Sequence, residues 1–284
     1  MIGKHYISKR NLMKSIATLM VYVILSFITL IFLFPIIWTF LSSIKTDVEQ
    51  YSIPPVLFPS YPTLDNYVSV FTAHHKEMLN SVVVGLTSTL IAIILGTMAA
   101  YGFARYRFPL NNILLIFILV TRMIPHASII IPVFILMRSL GIIDTLAAVI
   151  MAHLGLQLPF CTWLIRSFLL DFPRDLEDAA RIDGCSNIGI IFRVVIPSCA
   201  PGFAVATIMA LLTSWNDLLF VLILTRTEVA KTMTVAIAEH VTAFAIHWGP
   251  MTAASVIYVI PVIIFTIVLQ KYLIRGLTLG AIKA

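Results

Sequence analysis

The sequence predicts an all-α, polytopic transmembrane bundle, and three observations support this. The 284-residue chain is 60% hydrophobic and only 11% Asp, Glu, Lys or Arg, against about 25% charged residues in an ordinary soluble domain. Second, the charges are bunched. Stretches 15–44, 78–104, 145–165, 194–216 and 240–270 carry none, and 108–137 is interrupted only by Arg122. Each stretch reaches the roughly 20 residues a helix needs to cross a hydrocarbon core of about 30 Å. Third, the apolar residues run on continuously, whereas barrel strands would alternate over about 10 residues. This composition excludes a soluble enzyme, a nucleic-acid binder and a disordered chain.

Six spans are expected in one transmembrane domain covering 1–284, at about 17–41, 79–103, 110–137, 145–168, 200–225 and 251–272. The basic N-terminus followed by an apolar run mimics a signal peptide. That run is longer than the 7–15 residues of a signal core and no small-x-small site closes it, so it reads as an uncleaved first span. The next segment, 45–78, holds Pro54, Pro55, Pro59 and Pro62 and is too proline-dense for a continuous helix. The second span carries Gly85, Ser88, Gly96, Ala99 and Ala100, which permit close helix approach. Pro125 and Pro132 predict a bent or broken third span. Such a span either borders a translocation path or is a kinked packing helix. A short link around Ser139-Leu140-Gly141 leads to the fourth span, and 226–250 separates the last two. No internal repeat is visible.

Orientation follows from the basic residues, which favour the cytoplasmic side. With the N-terminus inside, thirteen fall there: Lys4, Lys9, Arg10 and Lys14, then Arg105 and Arg107, then Arg166, Arg174, Arg181 and Arg193, and finally Lys271, Arg275 and Lys283. Lys45, Lys76, Arg138, Arg226 and Lys231 make five outside. Both ends are therefore expected in the cytoplasm. The three cysteines (Cys161, Cys185, Cys199) lack CxxC spacing, and the seven histidines show no metal-binding spacing, so both sets read as structural and no metal site is expected.

The 166–193 stretch is unlike a simple connector. It holds four Arg with Asp171, Asp175, Glu177, Asp178 and Asp183. Pro173 with acidic residues behind it suits a helix start, and Gly184 a helix stop. Ser186 can cap a second short helix carrying Ile190, Ile191 and Phe192 and ending by Pro197. The result is a helix–glycine–helix lying off the bilayer, with Ala179 and Ala180 forming a flat face. A self-contained solvated loop and a docking element both fit that pattern.

The order Asp178-Ala179-Ala180-Arg181-Ile182-Asp183-Gly184, nine residues, then Val194-Val195-Ile196-Pro197 resembles the EAA motif. That motif is the cytoplasmic signature of permease subunits in binding-protein-dependent ABC importers. Asp178 stands where Glu is usual and Ile196 where Leu is usual. Phe34-Pro35, Asn80-Ser81, Tyr101 to Arg107, Ile131-Pro132, Leu140-Gly141, Trp215-Asn216-Asp217 and the tail Arg275 to Lys283 are similar to the carbohydrate branch, and most to the smaller permease of maltose-type importers. The resemblance implies the type I permease fold and import of a sugar, expected to be a di- or oligosaccharide. It implies a bacterial inner-membrane location, a coupling loop over 170–197, and Glu177, Asp178, Ala179, Ala180, Asp183, Gly184, Phe192 and Pro197 as ATPase-coupling residues. The implied partners are a second, dissimilar permease, two ABC ATPase subunits and an extracytoplasmic solute-binding protein. ATP and Mg²⁺ would bind the ATPase. In agreement, no GxxxxGK[ST] occurs, Gly3-Lys4 being the only Gly-Lys pair.

Two other classes fit the residues less well. A membrane enzyme would need a carboxylate or histidine cluster at one membrane face, and the only such cluster coincides with the EAA stretch. An ion-coupled secondary transporter would place ionisable groups in several spans, whereas only Arg122 and Asp217 qualify. At 1.5 Å per residue these lie roughly 18 and 26 Å from the inner ends of their spans. Three readings stand: the two pair directly or through Asn216 or water, Arg122 pairs with the other permease, or Arg122 lines the cavity and touches sugar hydroxyls. The charge asymmetry makes the first testable statement. A reporter active only outside the cytoplasm is expected to be silent when fused after Lys283 and active when inserted near Tyr61; the reverse pattern would overturn the orientation.

Overall fold

The computed structural model describes residues 3–281. Ile282 and Lys283 of the tail lie outside them, as do the side chains of Lys4, Lys9, Arg10, Lys271 and Arg275. The helices are, in order, α1 (Gly3–Ser43), α2 (Asp47–Gln50), α3 (Asp65–Arg105), α4 (Asn111–Val120), α5 (His126–Ser139), α6 (Leu146–Asp171), α7 (Arg174–Ile182), α8 (Asn187–Ile190), α9 (Ile196–Ser198), α10 (Ala200–Trp215), α11 (Leu219–Leu224), α12 (Met233–Glu239) and α13 (Trp248–Ala281). Four stretches can cross a bilayer by length and apolar composition: Lys14–Ser43 of α1, α3, α6 and Trp248–Val268 of α13. Two bent pairs, Asn111–Met123 with His126–Ser139 and Asn187–Ser198 with Ala200–Trp215, raise the number to six if each is one span.

The chain forms two compact units. One comprises the chain up to Val70 with Ala245–Val256. In it the apolar window of α1 buries nothing against the rest of the chain, while the residues after it are tightly held. Lys45, 3% exposed, donates to the Val56 carbonyl at 2.5 Å and lies 4.5 Å over the Trp38 ring, so a carbonyl dipole and a ring face replace its water. Asn66 donates to the Ser43 and Lys45 carbonyls at 3.0 Å each. Helix α3 starts at Asp65 and is interrupted by a kink at His74, whose φ/ψ of −124° and 19° are non-helical, five residues before the expected start of the span at 79. The prolines that bar a helix end at Pro62, and Asp65 places a carboxylate in the first turn.

The second unit comprises Phe71–Phe244 and the chain from Ile257 on. Its core joins α3, α6 and α10 through Ala92, Ala100, Cys161, Ile165, Leu169, Ala206 and Ala210. The small residues of α3 do what their spacing suggested. A Cβ at Gly96 would come within 3.0 Å of Cys161 Cβ, and one at Gly85 within 3.3 Å of Leu211, so these helices approach at backbone range.

The expected break in the third span is a 98° bend between α4–Met123 and α5. Ile124, extended at ψ 125, precedes Pro125, as the clash between proline and the preceding residue requires. Pro35, Pro132, Pro159 and Pro261 sit inside continuous helices. The expected continuous span 200–225 is instead two helices, α10 and α11, interrupted at Asn216 to Leu218. Pro197 does not end the preceding helical segment, which widens by a turn over Ile191–Val195 and continues to Ser198. The widened turn lies immediately before Pro197, where a proline inside a helix removes a backbone donor and crowds the preceding turn.

The close approach at Gly96 gives a second testable statement. Gly96→Ala presses on a Cβ and on the Thr162 backbone, which cannot swing aside, whereas Gly102 has nothing within 4 Å. Gly96→Ala should cost about 1–3 kcal/mol and lower the melting temperature in detergent, with Gly102→Ala unchanged. Equal melting temperatures would count against the packing.

Candidate functional site

The 174–198 segment is built as its residues suggest, with one difference in what faces where. Helix α7 begins after Pro173, carries Asp175 and Glu177 in its first turn, and ends in a Schellman turn. Gly184 N–H donates to Arg181 O and Cys185 N–H to Ala180 O, both 3.0 Å, with Gly184 at φ +83°. The Ser186 hydroxyl caps α8 by accepting from Gly189 N–H. Of the expected coupling residues, Asp178, Ala179, Asp183, Gly184, Phe192 and Pro197 are exposed, while Glu177 and Ala180 are buried. Ala179 and Ala180 therefore do not share one outward face, because neighbouring helix positions point about 100° apart.

Glu177 is the anchor of the segment. Its side chain is fully buried, and Arg105, at the end of α3, donates from Nε and Nη2 to Oε1 at 2.7 Å each. Tyr101, one turn earlier, donates its hydroxyl to Oε2 at 2.9 Å and accepts from Arg181 Nη2 at 3.2 Å. Arg105 also donates to the Phe172 carbonyl at 3.2 Å. Arg166 and Arg174 donate to the last α3 carbonyls, Phe103 and Ala104, at 3.4 and 3.5 Å, placing positive charge at the negative end of that helix. On the exposed side Asp178 hydrogen-bonds Arg181 at 2.5 Å and holds the guanidinium further towards its charged form. Beneath this polar layer Ala180, Ile190, Ile191 and Val195 pack on Ala100, Tyr101, Leu169 and Phe172. The segment is thus a rigid outgrowth of α3 and α6. The i, i+4 pair Tyr101 and Arg105 stands in the sequence as the end of a span, but nothing in the sequence pairs it with Glu177, seventy residues on.

A second polar group lies within the apolar helices. The expected pair of Arg122 and Asp217 is not formed, because each is engaged elsewhere. Arg122 donates Nη1 to the Leu156 carbonyl at 2.7 Å, on the turn before Pro159, and its guanidinium lies 5.8 Å from the Phe160 ring centre. Asp217 Oδ2 instead accepts from His153 Nε2 at 3.2 Å and from the amides of Phe220 and Val221 at 3.1 and 3.3 Å, capping α11. His153 Nδ1 lies 2.7 Å from Ser214 Oγ, Ser88 Oγ donates to Ser214 Oγ at 3.2 Å, and Gln157 Nε2 donates to Ser88 Oγ at 3.2 Å and to Ala210 O at 3.1 Å. Asp217 is best matched by an Nε2–H tautomer, which leaves Nδ1 to accept from Ser214. Ser, His and Asp in sequence invite comparison with a hydrolytic triad. His153 is 0% and Ser214 5% exposed, however, so no substrate reaches the hydroxyl and the group ties α3, α6, α10 and α11 together. Asn216, beside it, is exposed and belongs to neither network.

The Glu177 anchor is open to test. Arg105→Ala leaves a carboxylate buried without its cation and should cost about 3–5 kcal/mol, whereas Arg105→Met with Glu177→Met removes both charges and should cost far less. Thermal unfolding of the three proteins measures this. A double variant no more stable than the single one would contradict the anchoring.

Residues 92–279 match the model of the family described as "Binding-protein-dependent transport system inner membrane component". Over 253 residues the chain is 37% identical to the sulfoquinovosyl glycerol transport system permease protein of Agrobacterium fabrum, covering 88% of this chain and 89% of that one. Over 257 residues it is 35% identical to the trehalose transport system permease protein of Mycobacterium tuberculosis, covering 88% and 92%. Its fold is similar to that of a chain from a bacterial ABC transporter involved in the import of the acidic polysaccharide alginate, with a TM-score of 0.75, 25% identity, and coverage of 91% of this chain and 96% of that one. The chain belongs to the family of binding-protein-dependent transport system inner membrane components, the multi-pass permease subunits of ABC importers.

Proposed function

We propose that this chain is one half of the translocation pathway of an ATP-driven sugar importer, and that the 174–198 segment is where the ATPase drives it. A second, dissimilar permease completes the pathway. Two ATPase subunits bind the nucleotide and Mg²⁺, and an extracytoplasmic solute-binding protein delivers a di- or oligosaccharide. Both ends of the chain and the 174–198 segment lie on the cytoplasmic side, as the distribution of Lys and Arg indicates. The names of the relatives, a sulfoquinovosyl glycerol and a trehalose permease, support a sugar as cargo.

The observation that carries this reading is the two-sided build of α7 and α8. Their inner side is fixed to the end of α3 by the buried Arg105–Glu177 pair. Their outer side leaves Leu176, Ala179 and Ile182, at three-residue spacing, together with Ile188 and Phe192, in the open. Ile182 is 87% exposed. An apolar face on a rigid mount is what coupling needs, since a partner can drive a conformational change only through contacts that differ between two states.

Gly184→Val tests the coupling. The left-handed turn at this position costs a side-chain-bearing residue roughly 1–2 kcal/mol, and the β-branched side chain is among the least tolerant. Strain there misdirects α8 relative to α7. Uptake is expected to fall to background while the protein still inserts in the membrane. Normal uptake together with normal co-purification of the ATPase would refute the docking role.

A further inference from the structure

Asp217 is held by one oxygen and offers the other. Oδ2 takes all three hydrogen bonds, from His153 and the two α11 amides. Oδ1 accepts none of them, and the side chain as a whole is 7% exposed. Asn216 beside it is exposed. The location is deep: α10 runs sixteen residues without a formal charge before the break, about 24 Å, and α11 adds six apolar residues after it. His153 lies about 10 Å from the Leu146 end of α6.

A carboxylate oxygen and a primary amide at that depth do not face hydrocarbon, where each would stay unsatisfied. Interrupted backbone at membrane depth is tolerated where it is buried in protein or lines water, and Asn216 is exposed. The chemistry on offer is an acceptor that favours O–H donors, next to an amide that both donates and accepts. Negative charge there repels an anion: its one printed partner, His153, meets Oδ2 and not Oδ1, and Arg122 is committed to Leu156 and Phe160. What fits is a pair of hydroxyls on an uncharged ring.

We propose that Asn216 and Asp217 form a hydroxyl-binding step in the pathway for a neutral sugar, and that His153 is the positioning residue that turns Oδ1 towards it by holding Oδ2. This rests on the sugar reading above and narrows it: the cargo is an uncharged saccharide. His153 itself is buried and touches no substrate. Its effect passes through Asp217, with Ser214, Ser88 and Gln157 fixing the imidazole from behind.

The test uses the complete importer in proteoliposomes with its binding protein, and labelled trehalose, maltose and the monodeoxy analogues of whichever disaccharide the wild type takes up. Asp217→Asn and Asn216→Ala should lower the maximal uptake rate of the parent disaccharide about tenfold or more, the loss expected for a hydrogen bond to a charged group. The loss should be markedly smaller for at least one monodeoxy analogue, because the hydroxyl that met Asp217 is missing from it. His153→Leu should reproduce this pattern, and His153→Gln, which can still donate to Oδ2, should recover part of it. A purely structural role would lower uptake of every analogue alike and would not be rescued. The proposal fails if the variants transport and discriminate as the wild type does, if all analogues are affected equally, or if the variants lose the partner permease on purification, which would make Oδ1 an intersubunit contact. A wild type that carries only anionic saccharides would overturn the neutral-sugar step alone. A wild type that carries no saccharide would overturn the sugar reading with it.

Discussion

Hydrocarbon offers no hydrogen bonds, and the rest of this structure depends on that constraint. A helix satisfies its own backbone, so most of the chain is long apolar helix, and each departure from helix has to bring its own partners. At the break between α10 and α11, Asp217 supplies an acceptor to the Phe220 and Val221 amides, and its charge is met by His153. On the turn before Pro159, the Leu156 carbonyl receives Arg122. At both of these places a charged side chain meets the backbone where a helix is broken or holds a proline.

The same reasoning explains why the polar groups form connected networks. Ser88, His153, Gln157 and Ser214 lie on three different helices, and each meets another, so a displacement of α6 or α10 would leave several of them unpaired at once. Such a network favours one arrangement of α3, α6, α10 and α11 over its neighbours more sharply than alanine and leucine contacts do. At the end of α3 the Arg105–Glu177–Tyr101 group does the same for the 174–198 segment. Removing one partner there is costly because the other charge stays buried, so α7 is held to the end of α3 and is not a loose loop.

The two polar groups stand towards opposite ends of the same pair of helices. Both are mounted on α3 and α6: Ser88 and His153 towards one end, Tyr101 and Arg105 with the α6–α7 junction towards the other. The core between them, with Gly96 against Cys161 and Ala92 and Ala100 fully buried, is packed at backbone range. Packing of this density transmits displacement better than it absorbs it.

The sequence by itself determined the class of fold, the apolar stretches, the broken third span and the helix–glycine–helix segment. Each of these is local: charge-free length, a proline with its preceding residue, an acidic first turn, a glycine at φ +83°. The expected start of the second span at 79 lies five residues past the kink at His74, because hydropathy marks the apolar part of a helix and not the polar helical stretch from Asp65 that leads into it. The fifth span read as continuous because Leu, Phe, Val and Ile fill both sides of a break made by a single carboxylate. Only the tertiary structure decided partners. Arg122 and Asp217 are the two charges within their apolar stretches, and charge alone suggests pairing them. His153 and the Leu156 carbonyl are closer, and neither registers in a count of formal charges. Glu177 and Ala180 turn inward for a related reason: which side of α7 is buried depends on where Arg105 and Tyr101 arrive from a helix seventy residues earlier, and that distance is set by packing.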